Sequence, residues 1–354
     1  MKWPAYLSTA IAIGAALASF GAVSDEPPAP LPQSLRDAGL FVAGSTSEIR
    51  SELLSFSPQY PLWSDGATKR RWLYLPPGTF IDASQTDAWE FPPGARLWKE
   101  FSLERRVETR LIERVGDGSW RYATYIWDES ARNAVLAPTE GIRSLPRPDA
   151  PDGRYSIPSE LDCRACHEGA AVPVLGFSAL QLSPDRDSLA PHAEPLTSNQ
   201  LQTLVERGLL RNLPTEMLDH PPRVAAASPV ERAVLGYLHG NCGHCHSAPS
   251  AAGASVPVPV LLAQPVTDPV GGAASVLRSL LGAGSRFRFP SGSERSQVIA
   301  PGFAQRSVLP ARMRSRDPRV QMPPLGTAIP DDEALALIEG WIDHDLLHNK
   351  EPHP

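Results

Sequence analysis

Cysteine and methionine are scarce in this chain of 354 residues, with four of each. So few cysteines exclude a disulfide-dense scaffold. Lysine is sparse beside arginine, and a formal charge of −6 gives no support for a nucleic-acid partner. Neither a nucleotide-binding motif nor an evident serine or cysteine nucleophile is present, so those enzyme classes have no foothold. Beyond residue 24, no apolar run approaches the roughly 20 residues needed to cross a bilayer. Proline, by contrast, is abundant at 38 residues, which predicts long, stiff, irregular connections.

The few cysteines are not scattered. All four fall in two copies of C-x-x-C-H: CRACH, with Cys163, Cys166 and His167, and CGHCH, with Cys242, Cys245 and His246. This is the attachment signature of c-type haem. The thiols add to the two vinyl groups, and the adjacent imidazole supplies a ligand to the iron. Two covalently bound haem c groups are therefore expected. The alternatives are two disulfides, a redox-active C-x-x-C, or zinc held by cysteines from both motifs. None of them explains a histidine directly after each pair.

Residues 1–24 carry Lys2, the apolar stretch YLSTAIAIGAALASFGA and then A-V-S ahead of Asp25 and Glu26. That pattern predicts a secretory signal cleaved near Ser24, with an uncleaved anchor as the rival reading. Export and haem attachment both point to the periplasm, with no transmembrane segment in the mature chain.

Residues 25–150 are read as a β-rich domain with a proline-rich beginning and a proline-rich linker. A short helix is expected around Pro32–Ala38. Strands are expected in RWLYLPPGTFI, RLWKEFSL, VETRLIERV and WRYATYIWDE, with GDG at Gly116–Gly118 turning a hairpin. Within VETRLIERV, Val107, Thr109, Leu111 and Glu113 share one face, and Glu108, Arg110, Ile112 and Arg114 the other. Six tryptophans between Trp63 and Trp127 are read as core and sheet-face aromatics, with a ligand-stacking site as the alternative.

A first haem-binding region is assigned to residues 151–227 and a second to 228–354, both expected to be mainly α-helical. LTSNQLQTLVERGLL predicts a helix capped by Thr197 or Ser198 and closed near Gly208. Ser228, Pro229 and Glu231 form a sharper start signal for a helix running into CGHCH. DDEALALIEGWIDHDLL predicts a closing helix with Leu337, Ile338, Trp341 and Ile342 as its apolar stripe. It is expected to cross the CGHCH helix at Leu235 and Leu238. Between the two lies a loop-rich insertion, residues 251–298, with a short helix at AASVLRSLLG.

Sixth ligands come from a short list of donors. Met322, in VQMPPLG, has two prolines to stiffen its loop and is the expected ligand opposite His246. Met313, in LPARMRSR, is the weaker candidate. Opposite His167, Met217 is the leading donor, with His192, His220 and a water-bound iron as alternatives. His239 is expected to face solvent, and His244 to point away from the iron. Of the arginines before Met322, Arg312 is the foremost candidate to pair with haem propionates through its planar fork.

From Ser228 to Leu347, YLHGNCGHCH and MPPLG resemble a class I mono-haem cytochrome c domain. PLWSDGATKRRWLYLP, FPPGARLWKEF, VETRLIERVGDGSW, LDCRACH, LGFSALQLS, IAPGFAQRSVLPARM and QMPPLG resemble a family of bacterial dihaem periplasmic cytochromes, over most of the mature chain. The β-rich segment is also similar to cytochrome P460-type proteins, but it lacks its own C-x-x-C-H. The resemblance implies a multidomain protein in which a β-rich domain precedes mainly helical cytochrome c-like domains. It also implies an electron-transfer role, with a periplasmic redox partner such as a quinoprotein dehydrogenase or a terminal electron acceptor. A dihaem enzyme of peroxidase type and a haem-containing binding or sensing module are the alternatives.

Overall fold

The computed structural model describes residues 29–194, 199–247, 260–289 and 296–348. The expected signal at residues 1–24 and the expected caps Thr197 and Ser198 lie outside the described residues.

Alternating side chains and tight turns produce one large antiparallel sheet. Its strands are β1 (Leu54–Ser55), β2 (Thr68–Tyr74), β4 (Arg96–Ser102), β5 (Arg106–Arg114), β6 (Trp120–Trp127) and β7 (Ala134–Leu136), hydrogen-bonded in that order. Gly118, at φ +85°, closes the β5–β6 hairpin in a conformation that side chains with a Cβ resist. Period-two alternation then gives the sheet two different faces. One face carries Trp72, Trp98, Leu111, Tyr125 and Trp127, packed under Leu35, Leu40 and Phe41 of the incoming segment. The other carries Leu73, Leu97, Trp120 and Tyr122, and packs on Val174, Phe177, Leu201 and Leu204 from later in the chain.

Two smaller sheets accompany it among the described residues. Strand β3 (Ile81–Asp82) pairs in parallel with β10 (Leu210–Arg211), and β8 (Ile142–Pro146) pairs with β9 (Arg154–Ile157). Residues on either side of position 150 therefore share both strand pairing and core.

The expectation of mainly α-helical cytochrome domains after the sheet is not met. Among the described residues the helices that follow are short: α1 (Glu160–His167), α2 (Gln200–Glu206), α3 (Glu216–Asp219), α4 (Pro229–Cys242), α5 (Pro269–Leu280), α6 (Val308–Arg314), α7 (Asp332–Gly340) and α8 (Leu346–His348). The described residues between them are largely irregular. Proline removes a backbone donor and clashes with the preceding turn, and prolines recur throughout these connections. Each amphipathic pattern is thus cut to a few turns. No helix among the described residues is long and apolar enough to cross a membrane.

Helix α4 begins as its sequence dictates. Ser228 Oγ accepts the Glu231 amide at 3.0 Å, and Pro229 occupies the first turn. The Glu231 carboxylate reaches back to the Ala227 amide rather than to that of Ser228. Val234, Leu235 and Leu238 of α4 meet Leu335, Ile338, Trp341 and Ile342 in one core, and Leu337 packs at its edge. After α7 the chain widens into a π-turn at Trp341–Asp345. Helix α6 and buried Met313 lie where the sequence suggested only a polar run.

The other side of α4 is nearly bare, because Gly236 and Gly240 face Tyr60. A Cβ on Gly240 would lie 2.3 Å from the Tyr60 carbonyl oxygen, and one on Gly236 2.0 Å from its ring. Gly240→Ala is expected to lower stability by about 1–3 kcal/mol, as overpacking does in a filled core. A denaturant titration against the parent protein measures the loss; an unchanged midpoint would show that Tyr60 can withdraw.

Candidate functional site

Both C-x-x-C-H motifs open onto one cavity of about 1630 Å³. Cys163, Cys166, His167, Cys242, Cys245 and His246 all line it, as do Met322, Met313 and Arg312. The two motifs also touch each other. A Cβ on Gly169, two residues after His167, would lie 3.1 Å from the carbonyl oxygen of His244.

Local structure presents each motif. Helix α1 opens with a capping box: Ser159 Oγ accepts the Asp162 amide at 3.1 Å, and Asp162 accepts the Ser159 amide at 2.9 Å. From this start Cys163, Cys166 and His167 fall at i, i+3 and i+4, on one side of the helix. The second motif continues the last turn of α4, where the Cys245 and His246 amides both donate to the Cys242 carbonyl, at 3.1 and 2.9 Å.

The two histidines are held alike. His167 Nδ1 lies 2.5 Å from the Pro173 carbonyl oxygen, and His246 Nδ1 lies 3.2 Å from that of Val260. A carbonyl can only accept, so each Nδ1 carries the proton and each Nε2 lone pair is left free. Burial lowers both imidazoles, His167 to about 4, so both are neutral near pH 7. The ring of Tyr122 stands 5.4 Å from that of His167.

Burial also sets the protonation of the thiols. Burial, helped by the neighbouring Cys245, pushes Cys242 up to about 12 and Cys166 up to about 11. Burial raises Cys163 and Cys245 as well. Reactive C-x-x-C pairs need the opposite shift. All four cysteines are unpaired. Among the described residues no three His, Cys, Asp or Glu side chains converge as they would around a lone metal ion. The protein therefore presents two protonated thiol pairs, each beside a neutral imidazole with a free Nε2.

The other expected donors are distributed unevenly. Met322 lines the cavity, and its amide donates to the Arg312 carbonyl at 3.0 Å. Arg312 Nε donates to the Val320 carbonyl at 2.7 Å, and the residue lines the cavity without an ion pair. Neighbouring arginines are engaged elsewhere: Arg314 with Glu339, Arg319 with Asp317, Arg316 with the Met313 carbonyl and Arg306 over Phe303.

Met217 does not reach the cavity lining. Partly buried on the single-turn helix α3, it packs against the core that includes Leu204 and Leu210, as do Leu209 and Leu213. His192 is committed elsewhere too. It contacts Asp331 at 2.9 Å and Glu333 at 3.3 Å, with its ring 4.8 Å from that of Trp63. His220 is exposed at the end of α3. His239 is not turned wholly to solvent, since its Nδ1 accepts the Gln264 amide at 3.0 Å. His244, between the two cysteines of the second motif, lines the cavity.

Sequence reasoning missed the clamp that orders the Met322 loop. Asp65 accepts the amides of Ala328 and Ile329, at 2.9 and 3.0 Å, and Trp63 Nε1 donates to the Ile329 carbonyl at 3.2 Å. Buried Asp331 caps α7 through the Ala334 amide and also accepts the Tyr237 hydroxyl at 3.0 Å. The W-S-D-G string carried a turn signal, but nothing in it named a partner more than 260 residues away.

No known protein family, curated protein or solved structure matches this chain.

Asp65→Ala leaves the Ala328 and Ile329 amides without their acceptor. Losing a carboxylate acceptor costs about 1.5–3 kcal/mol, which is roughly a ten- to hundred-fold faster opening. Hydrogen exchange at those two amides should accelerate by that factor while α4 keeps its protection. Unchanged exchange there would remove Asp65 from the clamp.

Proposed function

We propose that this chain is an exported dihaem c-type cytochrome of the periplasm that passes electrons to or from a soluble redox partner. The observation that carries this reading is the repeated arrangement of two protonated thiols and one neutral, Nδ1-anchored imidazole, twice along the wall of one cavity. A cavity of about 1630 Å³ also exceeds the range of roughly 300–1,000 Å³ usual for one small ligand.

Cys163 and Cys166 would hold one haem, with His167 as its ligand, and Cys242 and Cys245 the other, with His246. Met322 is the proposed second ligand on the His246 side, and the remaining guanidinium nitrogens of Arg312 would pair with the carboxylates of that haem. When bound, such groups supply one-electron redox chemistry. The contact between Gly169 and His244 keeps the two attachment segments together, which favours exchange between them over separate functions. A quinoprotein dehydrogenase or a terminal acceptor is the class of partner that suits this role.

A second reading, an enzyme of peroxidase type, draws on the His167 side. The expected donor Met217 is absent from the cavity lining, whereas Arg110 and Tyr155 line it. Both hydrogen-bond to buried Glu108, with Tyr155 at 2.9 Å. This supplies charged and protic groups in the cavity that an open iron site would need.

Mass spectrometry of the exported protein should show two haem additions, and none on a chain with all four cysteines replaced by serine. Met322→Ala should lower the reduction potential of one haem, because a thioether favours ferrous iron, and should remove its thioether–iron charge-transfer absorption. Carbon monoxide added to the reduced wild-type protein discriminates between the two readings: no spectral change supports electron transfer, while stoichiometric binding at one haem supports the enzyme. A single haem addition, or none, would refute the dihaem proposal.

A further inference from the structure

The sheet face toward the cavity carries an unusual row. Cross-strand register places Arg71 of β2 opposite Lys99 of β4, and Lys99 opposite Arg110 of β5. All three line the cavity. Like charges directly opposite on neighbouring strands repel. Lys69 on the same face of β2 adds a fourth cation. The only carboxylate on this face of β2, β4 and β5 is Glu108, which is already engaged by Arg110 and Tyr155.

Arg71 and Lys99 are therefore left without a partner. Arg71 is 5% exposed, and among the described residues its side chain makes no hydrogen bond or ion pair. The Lys99 ammonium has only the face of Phe101, 4.8 Å from the ring centre. Burial, then the neighbouring Arg71, Lys69 and Arg110, holds Lys99 well below the usual ammonium range. Burial likewise lowers Arg71 to about 10, against a small opposing pull from Glu194.

The chain's lysines are Lys2, Lys69, Lys99 and Lys350, so both of those within the described residues stand on this one covered face. A chain this sparing of lysine would gain nothing from such a placement if the charges stayed unmatched. Buried charges persist when something neutralises them. Two unpartnered cations, side by side and facing a cavity, suit a pair of carboxylate groups.

We infer that Arg71 and Lys99 form a carboxylate-binding site in the cavity, on the wall built by the sheet. The site rests on the proposed function for one source of its ligand: the two propionates of the haem carried by Cys163 and Cys166. A free small carboxylate is the other source. Glu108 keeps Arg110 neutralised, so Arg110 frames the site without supplying its charge.

Redox titration of the exported holo-protein tests the assignment, with Lys99→Met, Arg71→Met and the charge-keeping Lys99→Arg compared with wild type. Both methionine variants should retain two haems by mass, while the potential of one haem falls and that of the other stays. Lys99→Arg should keep the wild-type potential, which a purely steric role would not do. Sodium acetate separates the sources. No response to acetate in wild type identifies the tethered propionates. A saturable shift in wild type, lost in Lys99→Met, identifies a free carboxylate. Two haems with unmoved potentials and no acetate response in any variant would overturn the site alone. A wild-type protein carrying no haem would overturn the electron-transfer reading first, and the propionate source with it. If a methionine variant fails to accumulate, the wild-type acetate titration and Lys99→Gln carry the same comparison.

Discussion

Asn241, one residue before Cys242, accepts the Trp63 amide at 2.7 Å and donates to the carbonyls of Pro61 and Tyr237, both at 3.2 Å. This buried amide joins the segment leading into the sheet to the helix that carries the second motif. Much else depends on the junction. Tyr60 can lie flat on α4 only because Gly236 and Gly240 leave it room. Asp65, four residues beyond Pro61, can then reach the loop after Met322. Loosening the junction would separate the sheet wall, the second motif and the Met322 loop, which together enclose the cavity.

Electrostatics divides the sheet in the same way as packing. On the face away from the cavity, carboxylates and guanidinium groups are matched: Glu113 with Arg96 and Arg121, and Glu100 with Arg70. On the cavity face, cations outnumber the single Glu108. Buried ion pairs contribute little net stability, but a lone buried charge is costly. The contrast between the faces, more than the presence of charge, marks the inner wall as a place for anionic groups.

Neutral imidazoles and protonated thiols follow from burial rather than from special partners. The same desolvation that lowers His167 and His246 raises Cys166 and Cys242. Near neutral pH the wall thus presents protonated thiols beside neutral imidazoles.

The motifs, the strand alternation in VETRLIERV, the Gly118 turn and the Ser228 cap were legible because each rests on residues within a few positions of one another. Local rules of turn, cap and period act over that range. Helix after the sheet was overstated: the prolines signalled irregular connections, but the segments between them were still expected to form mainly helical domains. Met217, expected opposite His167 for its thioether and its chain distance, is partly buried against the core that includes Leu204 and Leu210.

The sequence alone showed that two thiol pairs are each followed by an imidazole, and that proline makes many connections along the chain stiff and irregular. Only the tertiary structure decided that both sets share one cavity, that Gly169 meets His244, and that Arg71 and Lys99 stand together unpaired. The reason is physical. Thiol and imidazole chemistry resides in adjacent residues, but enclosure, desolvation and strand register arise from contacts between segments far apart in the chain.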